Sequence, residues 1–164
     1  QHTDIMTPMH MCMLSCAIAN GGVIMEPKLM REVIDTNGSV LKSLKSETYK
    51  TWLLPDEAEF LKECMRLTVK EGTGAAAAVS GLTVCGKTGT AEVSSNKDIK
   101  PHAWFTGFIE DESDPYAVCI VIENGGGGGT AAAPAASKIL SETVRLMKLW
   151  NNTQEADQPS CRSF

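Results

Sequence analysis

Residues 81–92, GLTVCGKTGTAE, force a choice between two incompatible local folds. From Gly81 they read G-x-x-x-x-G-K-T. That pattern cradles phosphates with backbone N–H groups when a tight loop follows a strand and opens a helix. From Lys87 they read K-T-G-T, which calls for one extended strand. The positions between Gly81 and Gly86 are Leu82, Thr83, Val84 and Cys85. Thr83 and Val84 are β-branched, and the run favours strand over tight loop. After Thr88 come Gly89, Thr90, Ala91, Glu92, Val93, Ser94, Ser95 and Asn96, a run poor in helix formers. Upstream, residues 72–78 are Gly/Ala-rich rather than an apolar strand. A nucleotide-binding module is therefore the lesser alternative.

The strand reading carries chemistry of its own. Residues 82–92 form one extended run interrupted by Gly86 and Gly89. Glycine inside a strand marks close approach by a ligand or another backbone. In an extended chain Lys87 and Gly89 face one side, and Thr88 and Thr90 the other. A cation and hydroxyls on a sheet rim suit a substrate carboxylate. An outward backbone N–H can serve as half of an oxyanion hole. K-T-G is also one of the motifs of serine acyl-transfer enzymes that attack penicillin-like substrates. The competing structural explanation is an edge strand with a solvated lysine and with Thr88 turned to the core.

The flanks carry a wider likeness. The chain reads GTG at residues 72–74, then VCGKTGTAE, HAWFTGF at 102–108, YAVCIVIENG at 116–125 and an alanine-rich helix. It opens with Thr7-Pro8 and a helix ending AIANGG at residues 17–22. This order resembles the C-terminal half of the transpeptidase domain of penicillin-binding proteins, over residues 1 to about 147. It looks most like the class B, monofunctional type of cell elongation or division. Serine β-lactamases also use K-T-G, but W-F-x-G-F and A-I-A-N-G-G look more like a transpeptidase. The fold implied is α+β, an antiparallel sheet packed by helices, as in the serine β-lactamase-like transpeptidase domain. The activity implied is peptidoglycan D,D-transpeptidation through an acyl-serine, with acylation by β-lactams. By resemblance, Lys87 supplies positive potential and part of the proton network, and Thr88 and Thr90 hold the substrate carboxylate. The Thr90 N–H is the oxyanion donor, and Gly89 leaves room for substrate. Glu92 and Trp104 are expected near the same edge, with Trp104 and Phe105 as core aromatics.

The family's S-x-x-K and S-x-N motifs are not convincingly present. Residues 39–42 spell S-x-x-K but follow the hairpin signal Asn37-Gly38. In a strand, Ser39 and Lys42 point to opposite faces. Residues 94–97, SSNK, fall in the polar turn after the strand. A hydroxyl nucleophile needs a positioned base, and no serine here has one that sequence identifies. The expectation is therefore a back half that lacks its nucleophile and is inactive without the preceding N-terminal half. The partners implied are that half, stem peptides, β-lactams and membrane proteins of elongation or division. The place implied is the extracytoplasmic face of the bacterial membrane, with the parent anchored. A noncatalytic penicillin-recognising or scaffold fragment is the other reading. No cofactor is implied.

Composition sets the remaining bounds. One domain, or part of one, fits 164 residues. The net charge of −5 and the lack of a basic run argue against nucleic acid as a partner. The start shows no signal-peptide pattern. Residues 5–25 lack formal charge, but their helical part is only about 13 residues, too short to span a bilayer. Six cysteines without a C-x-x-C pair read mostly as buried free thiols. His10, Cys12 and Cys16 lack a visible fourth metal ligand. Helices are expected from Pro8 to about Asn20, over 55–70, with Phe60, Leu61, Cys64, Met65 and Leu67 buried, and over 132–150, with Leu140, Val144, Met147 and Trp150 near one side. Strands are expected over 29–35, 40–44, 82–93, 103–109 and 117–123. Residues 125–129, all glycine, read as a mobile turn, and residues 151–164 as a disordered tail.

Overall fold

The computed structural model describes residues 5–96 and 98–156. The chain runs through α1 (Pro8–Ala19), β1 (Val23–Met25), β2 (Glu32–Ile34), β3 (Val40–Ser43), β4 (Thr48–Thr51) and α2 (Pro55–Lys70). A 3-10 turn at Ala75–Ala77 leads to β5 (Val84–Ala91), β6 (His102–Ile109) and β7 (Ala117–Ile122). A π-helical turn at Gly128–Ala132 then opens α3 (Ala133–Ala156). The main sheet has the order β5-β6-β7, all antiparallel, as the short connections require.

Local chemistry explains the element ends. Thr7 Oγ1 accepts the His10 N–H at 3.2 Å, and Pro8 occupies the first turn of α1, where its missing N–H costs nothing. The Asp35 carboxylate accepts the N–H groups of Asn37 and Ser39, both at 2.8 Å, and so closes the β2–β3 hairpin around Asn37-Gly38. Ser39 therefore lies in a turn leading into a strand, not on a helix with Lys42. Glu57 Oε2 caps α2 by accepting the Leu54 N–H at 2.8 Å.

The sheet buries both faces. On one, Val84, Ala103, Phe105 and Ile109 pack with Ala132, Ala136, Leu140 and Val144 around α3. On the other, Cys85 and Phe108 pack with Ile18 of α1 and Met65 of α2. Here Ser15, itself buried, meets Thr106 Oγ1 at 2.7 Å. Gly86 and Gly107 lie opposite each other, and the Phe105 ring fills the space they leave. The Gly86 position is thus explained by packing within the sheet.

The strand expected over 82–93 is present over 84–91, with no helix after the glycine-lysine pair, so the phosphate-loop geometry is absent. Other expectations are corrected. The β1–β4 pair was not foreseen; its three- and four-residue strands are too short for a two-residue period to register. On α2 the buried residues are Ala58, Met65 and Val69, while Phe60, Cys64 and Leu67 are exposed. The helix carries two apolar stripes, and periodicity alone does not say which meets the sheet. In α3, Leu140 and Val144 are buried, but Trp150 is exposed and the helix runs on to Ala156. The tail beyond Ala156, with Cys161, lies outside the described residues, as do His2 and Lys97. The glycine run is not a free turn, because Gly128 is buried and starts the π-helical turn.

Candidate functional site

β5 is an outer strand of the sheet, and its hydrogen-bond register decides which groups it presents. The Glu110 N–H donates to Thr83 O at 2.8 Å, which makes that pair a hydrogen-bonded one. Counting in twos along the register makes Cys85/Phe108, Lys87/Thr106 and Gly89/Trp104 hydrogen-bonded pairs as well. Thr88 and Thr90 fall between them. Their N–H and C=O groups therefore turn away from β6, toward the open edge. The Thr90 N–H, the expected oxyanion donor, points outward by this reckoning, and so does the Thr88 carbonyl. The Lys87 ammonium donates to that carbonyl at 2.7 Å.

The side chains complete the edge. Lys87 and Thr90 are exposed, and Thr88 is half-buried. Thr88 and Thr90 share one face, as the strand period requires. Thr88 Oγ1 lies 2.7 Å from Thr73 Oγ1. Thr90 Oγ1 accepts the Gly128 N–H at 3.2 Å. Any side chain on Gly128 would overlap the backbone of Gly89 and Trp104, so the π-helical turn sits directly on the strand. Of the expected site residues, Lys87, Thr88, Gly89 and Thr90 are thus together. Thr73 and Gly128 join them and were not singled out in the sequence. Their signals were present as the GTG triplet and the glycine run, but neither spelling discloses a contact 15 or 38 residues away.

The neighbours of the edge are mostly structural. Phe105 is fully buried, and Trp104 is half-buried with its indole Nε1 buried and without a hydrogen-bond partner. Ser94 Oγ accepts the Asn96 N–H at 3.1 Å, a turn contact rather than a nucleophile–base pair. Behind the strand, burial pushes the Cys85 thiol up to about 12, so it is protonated at neutral pH. A concavity of about 510 Å³ lies at the other end of β6, lined by Cys16, Lys62, Phe108, Glu110 and Tyr116. The Lys87–Thr90 edge does not line it. Among the described residues, no group of three or more His, Cys, Asp or Glu is placed to hold a metal.

Comparison with known proteins identifies the family and the fold. Residues 3–141 match the family model described as the penicillin binding protein transpeptidase domain. The chain is 27% identical over 126 residues to a peptidoglycan D,D-transpeptidase, PbpA, of Mycolicibacterium smegmatis, covering 76% of this chain and 26% of that protein. It is 31% identical over 152 residues to the peptidoglycan D,D-transpeptidase MrdA of Haemophilus influenzae, covering 82% of this chain and 23% of that protein. Among solved structures, a D,D-transpeptidase domain from Eggerthella lenta superposes with a TM-score of 0.75 at 35% identity, covering 87% of this chain and 33% of that one. Penicillin-binding protein A of M. tuberculosis, solved as a ceftriaxone acyl-enzyme, gives a TM-score of 0.74 at 27% identity, over 83% of this chain and 32% of that one. The chain spans about a quarter of the length of the PbpA relatives it matches.

Proposed function

This chain belongs to the penicillin-binding protein transpeptidase domain family, and from that premise we propose that it supplies the K-T-G-T edge of a peptidoglycan D,D-transpeptidase site. The observation that carries the proposal is the β5 register, which turns the backbone of Thr88 and Thr90 to the open edge. In this reading an extended stem peptide, or a β-lactam, lies along β5 as an added strand. The Thr88 and Thr90 hydroxyls hold its carboxylate. Gly89 keeps the strand surface free of a side chain at the point of closest approach. The Thr90 N–H faces the carbonyl oxygen as negative charge builds on it. Lys87 adds positive potential and holds a proton within reach of the nucleophile.

The serine itself is supplied by a segment carrying S-x-x-K and S-x-N. Its Oγ forms a bond to the substrate carbonyl carbon and gives up its proton. The C–N bond then breaks, and the leaving nitrogen takes a proton. Attack by an acceptor amine reverses these steps, giving the cross-link and freeing the serine. A β-lactam follows the first half, and its opened ring remains on the enzyme. The relatives are bacterial peptidoglycan enzymes. No helix among the described residues is long and apolar enough to cross a membrane. Work at the extracytoplasmic face of an anchored protein, with elongation or division partners, is part of the proposal.

The test is intact mass after incubation with a reactive penicillin. It is run with this chain alone and with a polypeptide carrying the S-x-x-K and S-x-N motifs. The expected result is an adduct only in the mixture, located on the S-x-x-K serine. An adduct on this chain alone overturns the reading and makes Ser39 and Ser94 the first residues to map.

A further inference from the structure

We propose that Thr73 is a positioning residue that sets the preference of this edge for substrates bearing a carboxylate, acting through the Thr88 hydroxyl. The inference rests on the functional reading above and extends it to a residue outside the K-T-G-T motif.

Thr73 is delivered to the strand by the end of α2. The N–H groups of Gly72 and Gly74 both donate to Thr68 O, at 3.1 and 3.0 Å, which closes the helix and throws Thr73 outward between them. From the other side the π-helical turn presses on it: a side chain on Gly129 would overlap the Thr73 carbonyl oxygen. Held from two directions, Thr73 places its Oγ1 2.7 Å from that of Thr88, within the range of a hydroxyl–hydroxyl hydrogen bond.

A hydroxyl has one proton to give, so this pair has two arrangements. In one, Thr88 donates to Thr73 and shows only lone pairs to the edge, which repels an anion. In the other, Thr73 donates to Thr88 and leaves the Thr88 proton free to point outward. A carboxylate only accepts, so its arrival selects the second arrangement. A hydroxyl that already accepts a hydrogen bond is also a better donor. Thr73 thus keeps Thr88 oriented and polarised toward the carboxylate without touching the substrate itself. Thr90 is oriented differently, by accepting the Gly128 N–H, which leaves its own proton for the same anion. A neutral ester lacks the charge that rewards this arrangement.

Thr73→Val keeps the shape of the side chain and removes only the hydroxyl, while Thr73→Ser restores the hydroxyl. The test measures acylation rates for benzylpenicillin and for its methyl ester, with this chain complemented by the S-x-x-K polypeptide. The expected result is a ratio of acid to ester rates that falls roughly fivefold in T73V, the size of one hydrogen bond's net worth, and recovers in T73S. An unchanged ratio in T73V, or a loss that T73S does not recover, overturns the assignment of Thr73. Absence of any adduct, or of a preference for the acid, in the unsubstituted protein instead overturns the functional reading of Thr88 and Thr90, and Thr73 with it.

Discussion

Glu110 shows how much one side chain can organise behind the Lys87–Thr90 edge. The Arg66 guanidinium grips it through Nε at 2.8 Å and Nη2 at 2.6 Å, and the Cys85 thiol lies 3.5 Å from the same carboxylate. Arg66 also pairs with Glu63 on its own helix. The double hydrogen bond to Arg66 holds the Glu110 carboxyl below its ordinary 4.5. A carboxyl whose folded pKa is depressed contributes stability above its unfolded pKa, and that contribution fades as pH falls through the folded value. Glu110→Gln should therefore lower the denaturation midpoint at neutral pH, with the gap from the unsubstituted protein closing below about pH 4.5. Denaturant titrations at pH 7 and about pH 3 check this, since a constant gap would mean that the pair adds nothing through charge.

At the scale of elements, α2 separates what pattern can and cannot disclose. Met65→Ala should cost about 2–5 kcal/mol, because it leaves a void between the helix and Phe108. Phe60→Ala should change stability by no more than about 0.5 kcal/mol, because the ring is 70% exposed. Equal losses from the two, measured by denaturant titration, would place the helix in the wrong rotation. The bounds of α2, at Pro55 and Lys70, were legible because proline, the acidic first turn and the following glycines are local signals. Its rotation was not, because both stripes are apolar and the choice belongs to the sheet it meets. The K-T-G-T strand was legible for the opposite reason: the β-branched residues before it and the run poor in helix formers after it both favour an extended chain. The partners of Thr88 and Thr90 were not legible, since both contacts join segments that the fold, and not local sequence, brings together.

The whole molecule presents two outer strands in its main sheet, β5 and β7. β5 is the proposed substrate edge. β7 has the sequence AVCIVI, half-buried along its length and uncharged. An outer strand with no charge, proline or bulge is a template for pairing with another chain. The isolated chain should therefore self-associate as its concentration rises. Val121→Lys, which places a charge on that strand, should shift sedimentation toward the monomer. Concentration-independent sedimentation of the unsubstituted chain would show that the strand is guarded in some other way. The same edge matters to the functional reading, because a chain sequestered through β7 still leaves the β5 rim open.

The five consecutive glycines at residues 125–129 have a consequence for which substitutions this chain can accept. Spelled out, they are one repeated letter with nothing to tell one position from the next. The fold does not. At Gly128 and Gly129 a new side chain would run into backbone, that of Gly89 and Trp104 in one case and of Thr73 in the other. At Gly127 it would meet only the hydroxyl of Thr130, which can swing aside. Gly125 abuts Ile122 and Gly126 has a φ of +86°, so a tract that looks like filler holds one permissive position, Gly127, among constrained ones, and changes in its length would shift which glycine falls against the K-T-G-T strand.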